Sequence, residues 1–245
     1  MNFLVTSGCS CSVVNDGWRI KTWPWHLSNL LGVDSSLHVG RPAQGNGMIS
    51  RQLIYAVLKL LETHKPEDIL VGVMWSGTTR HDFYTETPSA EASKQPFLLK
   101  PFKFVEGGYG SWVLLNAHWE NNVNKAYYST FHDDAGAMIS TYEHILRTQW
   151  FLKLHNIKYF MSSISEAVFN HERWKDHPDI SYLRSQVDFK KFLPVNGIFD
   201  WSKDCSGLEF NKDDQAHPTT EQNKKFTEEI ILPFLKENNL TQTSF

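Results

Sequence analysis

Ser10 ends the run Thr6-Ser7-Gly8-Cys9-Ser10, directly behind a short apolar stretch. A serine just past a buried strand can turn its hydroxyl and its own N–H into the same space, giving a nucleophile and one oxyanion donor together. A hydroxyl is a weak nucleophile at neutral pH, so a base must stand nearby. His217 is the candidate, in Asp213-Asp214-Gln215-Ala216-His217-Pro218. A carboxylate three residues before an imidazole reaches one ring nitrogen, fixes the tautomer and stabilises the imidazolium. Each piece alone has a plainer reading: Ser10 as a turn residue, Asp214 as an acid favoured at a helix start. Cys9 and Cys11 offer a rival thiol nucleophile with His217 as its base. Alternation past a strand turns both away from Ser10, which makes them small packing residues. Arg80 is placed either to clamp a substrate carboxylate or phosphate or to pair with Asp82 at the surface. No grouping of His, Cys, Asp or Glu has zinc or calcium spacing, so neither metal nor cofactor is expected.

The elements that must position these residues follow from periodicity. Residues 2–6 read as a buried strand and residues 36–40 as a second. Trp23 through Leu31 reads as a helix with Pro24 in its first turn and Gly32 at its end. The Gly45-Asn46-Gly47 turn opens a helix carrying Ile49, Leu53, Val57, Leu60 and Leu61 at the 3.6 period. Asp68 to Trp75 is a nearly unbroken apolar run, the mark of a central parallel strand covered on both faces. A helix at about 135–155 has Met138, Tyr142, Ile145 and Leu152 on one face, and Ile157 to Ser163 is the next strand. Thr219 to Glu237 reads as a closing helix, started by a Thr219/Gln222 capping box and bent at Pro233. This alternation predicts a doubly wound parallel sheet between two helix layers, an α/β/α sandwich. Right-handed crossovers bring all the strand C-termini to one edge, where ligands bind. Ser10, Gly45 and Ser76 are expected to meet there.

Residues 84–133 interrupt the pattern. The stretch is rich in rings, Trp112 and Trp119 among them, and has no clean period. It reads as an insertion into a single domain spanning 1–245, its rings buried over the site or in an oligomer contact.

Composition excludes several classes. Hydrophobic residues are 41% and charged residues 21%, ordinary globular values. The formal charge of −3 argues against nucleic-acid binding, which needs a basic surface. The three cysteines fit a reduced compartment. No apolar run has the length of a membrane helix, and the first residues lack the form of a signal peptide. Membrane partners are therefore not expected, and the location is read as cytoplasmic or within a virus particle. No Gly-rich phosphate loop follows the first strand, which counts against a nucleotide-binding flavodoxin-like domain.

Taken in order, three short blocks resemble the SGNH (GDSL-like) hydrolases. Thr6 to Ser12 is similar to their GDS block, with Cys9 at the Asp position. Ala43-Gln44-Gly45-Asn46 is similar to the second block, whose glycine N–H is an oxyanion donor. Asp214-Gln215-Ala216-His217 matches the closing D-x-x-H. The resemblance covers roughly residues 2–83 and 135–237. It implies a flavodoxin-like SGNH fold and an esterase acting through an acyl-Ser10 intermediate on a small-molecule or carbohydrate ester, an O-acetylated carbohydrate included. It assigns Ser10, Asp214 and His217 as the triad and the N–H groups of Ser10 and Gly45 to the oxyanion. One block departs: where G-x-N-D is expected, the chain reads Trp75-Ser76-Gly77-Thr78-Thr79-Arg80. The missing amide is expected from Asn46, or a hydroxyl from Ser76 or Thr78, with Arg80 alongside. Asn46 reads equally as a helix cap. The gap also admits an inactive binding or structural module on the same fold, for instance in a virus particle.

Overall fold

The computed structural model describes residues 2–15, 17–87, 98–99, 111–166, 172–210 and 217–241. A four-stranded parallel sheet forms its centre. Its strands are β1 (Phe3–Ser7), β2 (Ser35–His38), β3 (Ile69–Trp75) and β7 (Lys158–Ser163), in the order β2-β1-β3-β7. Beyond β7, a single parallel bridge between Met161 and Phe192 extends the order by one position. The chain winds outward from β1 in both directions, so the switch point lies between β1 and β3.

Alternation on these strands feeds two cores. Val5, Val71, Val73, Tyr159 and Met161 face the layer made by α2 (Asn46–Leu61), α4 (Asp134–Leu154) and α5 (Pro178–Gln186). Leu4, Leu70, Met74 and Phe160 face the layer of α1 (Trp23–Leu31), α6 (Ile198–Asp204), α7 (Thr220–Phe226) and α8 (Leu232–Glu237). All seven residues of β3 are buried, because both sheet faces are covered; that is why the strand reads as an unbroken apolar run. The helix signals act as expected. Gly32 closes α1 in the left-handed conformation at φ 56°, and the Thr219/Gln222 capping box starts α7. Between α7 and α8 the backbone widens into a π turn over Thr227–Ile231, just before Pro233.

The described residues of the interruption form regular elements, and the departure from the alternation begins earlier, at Arg80. β4 (Arg80–Thr85) pairs antiparallel with β6 (Ser111–Asn116), and β5 (Leu98–Leu99) pairs with the far side of β6. Six buried residues in a row erase the period of two in β6, which is why it cannot be read as a half-exposed strand. Trp112 is buried against Met48, Ala43 and Leu114, with Tyr84 edge-on at 5.5 Å and Arg51 over its ring at 4.6 Å. α3 (Asn122–Thr130) follows, capped by Asn121, which accepts from the Asn124 N–H. The register sets Arg80 opposite Asn116, and that pairing matters for the site.

Candidate active site

Ser10 begins a tight turn, Ser10–Ser12, three residues past the end of β1. The turn is held from three sides. The Ser12 N–H donates to the Cys9 carbonyl at 2.9 Å. Trp23 Nε1 donates to Ser12 Oγ at 3.0 Å. The Gly8 carbonyl accepts the Arg41 N–H at 3.2 Å and Gln44 Nε2 at 3.0 Å. Position 8 admits only glycine, because a Cβ there would lie 2.3 Å from Ser12 Oγ and 3.0 Å from the Met74 carbonyl. Ser10 is 9% exposed, and its hydroxyl makes no hydrogen bond to another described residue.

His217 comes to the same place from the other end of the chain. The loop after Ser10 is tied to α7: the Lys21 N–H donates to Thr220 Oγ1 and the Trp23 N–H to Asn223 Oδ1, each at 3.0 Å. Trp18, on that loop, meets the His217 ring edge-on at 5.7 Å. Ser10 and His217 line one cavity of about 720 Å³, together with Trp18, Trp119, Phe199 and Arg80. The cavity lies beyond the C-terminal ends of β1, β3 and β7, the edge where doubly wound sheets bind ligands. Asp214 lies outside the described residues.

The residues expected to complete the oxyanion hole are engaged elsewhere in this geometry. The Gly45 N–H donates to Asp82 Oδ1 at 2.7 Å. Asn46 is buried; its Oδ1 accepts the Ser76 N–H at 2.8 Å, and its amide donates to the Ser76 carbonyl and to Thr141 Oγ1. These bonds clamp the start of α2 to the end of β3 and to α4. Nor does Asn46 cap α2, whose N-cap is Gly45. Ser76 is fully buried, and Thr78 lines a smaller polar pocket behind the cavity. Of the residues following β3 that the sequence singles out, only Arg80 reaches the wall of the Ser10 cavity.

Asp82 explains this arrangement, and periodicity alone gave no sign of it. Its carboxylate accepts from Gly45 and Met48 at the first turn of α2, where the helix dipole favours an anion. A Cβ on residue 45 would lie 2.5 Å from Asp82 Oδ1 and 2.8 Å from the Arg80 carbonyl, so the glycine serves close approach. Burial lifts the Asp82 carboxyl to about 6, against the pull of those N–H groups and of Arg51 and Arg147. The surface pairing of Arg80 with Asp82 is therefore not formed. Cys9 and Cys11 are buried, as small packing residues are, yet both also line the cavity. Hydrogen bonding from Cys11 holds the Cys9 thiol well below its ordinary range, with the Arg80 charge assisting and burial opposing. Asn116 and Trp119 complete the wall opposite. Both depend on the β4–β6 register, which leaves no local mark in the sequence.

Among the described residues no group of three or more His, Cys, Asp or Glu side chains is placed to hold a metal ion. No helix there is long and apolar enough to cross a membrane.

The described residues form a parallel sheet between two helix layers, a three-layer α/β/α fold whose cavity lies at the C-terminal edge of β1. The crystal structure of TesA matches it with a TM-score of 0.51 and 13% identity, over 96% of this chain and 98% of that one. No family model and no curated protein matches the sequence.

Proposed function

We propose that the protein is a serine hydrolase of carboxylic esters. The observation that carries this is the shared cavity wall: Ser10 and His217, 207 positions apart in sequence, face one space at the strand ends. In the proposed reaction Ser10 Oγ bonds to the ester carbonyl carbon while its proton passes to His217. The carbonyl π electrons move onto oxygen, against the Ser10 N–H. As they return, the carbon–oxygen bond to the leaving alcohol breaks, and His217 protonates that alcohol. Water then gives a proton to His217 and bonds to the acyl carbon; the bond to Ser10 Oγ breaks as His217 returns that proton to Oγ, and the acid leaves. Asp214 holds the imidazole in the required tautomer. The cavity's Trp18, Trp119 and Phe199 walls suit a ring-sized apolar or sugar group, so O-acetylated carbohydrates and small acyl esters are the substrates to try first.

Hydrolysis of p-nitrophenyl acetate by the intact protein tests this. Ser10→Ala and His217→Gln are each expected to lower kcat by at least about 10³-fold. A Ser10→Ala variant that keeps a tenth of the wild-type rate ends the reading. One observation favours a second reading, a binding module on the same fold: the Gly45 N–H and the Asn46 amide are both spent on the frame. Under that reading the wild type shows no Ser10-dependent turnover.

A further inference from the structure

Attack on a carbonyl puts a full negative charge on its oxygen, and a lone N–H donor stabilises that charge poorly. The Gly45 N–H is held by Asp82, and the Asn46 amide by Ser76 and Thr141. Ser76 is sealed from the cavity and Thr78 opens on the pocket behind it. Among the described residues of the cavity wall, one permanently charged donor remains. Arg80 follows β3 in the stretch where the third block would stand, and it lines the cavity with Ser10. Among the described residues no carboxylate forms an ion pair with it. Its side chain hydrogen-bonds the Cys9 thiol and its charge acts on it, so the guanidinium lies beside the residue that precedes Ser10. A half-buried cation on the cavity wall, with no carboxylate partner among the described residues, is stabilised by an anion that forms next to it.

We propose that Arg80 is a catalytic residue of the Ser10 site, its guanidinium taking the place of the third-block asparagine and stabilising the oxyanion. The assignment rests on the serine-hydrolase reading. An arginine in this role differs from an asparagine in carrying full charge, so it neutralises the oxyanion as well as donating to it. The strand pairing of β4 with β6 holds it in place, with Asn116 opposite.

The test is the rate at which a fluorophosphonate labels Ser10, since the phosphonyl oxygen occupies the oxyanion's position. In Arg80→Met labelling is expected to slow by about 10²–10³-fold, and in Arg80→Lys by less. Added guanidinium ion is expected to restore part of the rate in Arg80→Ala, which a merely structural arginine would not allow. With p-nitrophenyl acetate and its carboxylate-bearing hemisuccinate analogue, kcat is expected to fall by the same factor while KM barely moves. Should Arg80→Met melt below the assay temperature, Arg80→Lys carries the same comparisons. Normal Ser10 labelling in the Arg80 variants overturns the assignment and leaves the hydrolase reading standing. A rise in KM confined to the hemisuccinate also overturns it, and makes Arg80 a clamp for substrate anions. A wild-type protein whose Ser10 resists the probe overturns the assignment and the hydrolase reading together.

Discussion

An imidazole is a useful base only when one ring nitrogen is held as the donor and the other is left to accept. Trp18 meets the His217 ring edge-on and limits its tilt, but a tryptophan edge does not choose the tautomer. In the proposed mechanism that choice falls to the Asp214 carboxylate. Asp214→Asn is therefore expected to keep the fold and lower kcat by about 10⁴-fold, with KM little changed. Steady-state kinetics beside a thermal melt checks this, and an unaltered kcat would remove Asp214 from the mechanism. That Ser10 and His217 would come to one place was legible in the sequence because each sits in a local signal, a post-strand turn and the approach to a capped helix. Gly45 and Asn46 sit in an equally good local signal and were assigned to the oxyanion. In the structure, groups distant in sequence claim their donors first: Asp82 takes the glycine N–H, and Ser76 and Thr141 take the amide. A local motif states which groups are available, not which of them a distant partner will bind.

At the scale of elements, β4 does two things at once. Arg80 faces the cavity, and Asp82, two residues on and so on the same strand face, reaches the first turn of α2. Burial raises the Asp82 carboxyl from 3.8 to about 6. The folded protein therefore holds that proton more tightly than the unfolded chain does. The stability this contributes is fully present below the unfolded value and is lost as pH rises through the folded one. Between about pH 4 and about pH 7, urea-unfolding midpoints of the wild type are expected to fall relative to those of Asp82→Asn. Parallel profiles for the two proteins would contradict the burial of an ionisable Asp82. The strand itself was hidden from a reading by period. Arg-His-Asp-Phe-Tyr-Thr alternates without an apolar face, and its partner β6 is buried throughout, so neither strand shows a period of two. The core strands and α2 were legible because two covered faces and a 3.6-residue repeat each leave a pattern.

Across the whole molecule, winding in both directions from β1 gathers loops from positions 9 to 217 around one cavity. The parallel topology was legible from the order of strands and helices, and so was the edge at which the site would lie. The second sheet was not, because its pairings join segments whose composition gives no register. It supplies Arg80 and Asn116 to the cavity wall, and the stretch just past β6 supplies Trp119, so much of the wall beyond Ser10 and His217 depends on long-range pairing. The central claim is that this assembly activates one hydroxyl, Ser10, and not the buried thiol beside it. Peptide mapping by mass spectrometry after fluorophosphonate treatment of the folded protein tests that claim most directly. A single phosphonyl adduct is expected on Ser10, lost on heat denaturation before treatment and absent in Ser10→Ala. An adduct on Cys9, or no adduct on the folded protein, would contradict it.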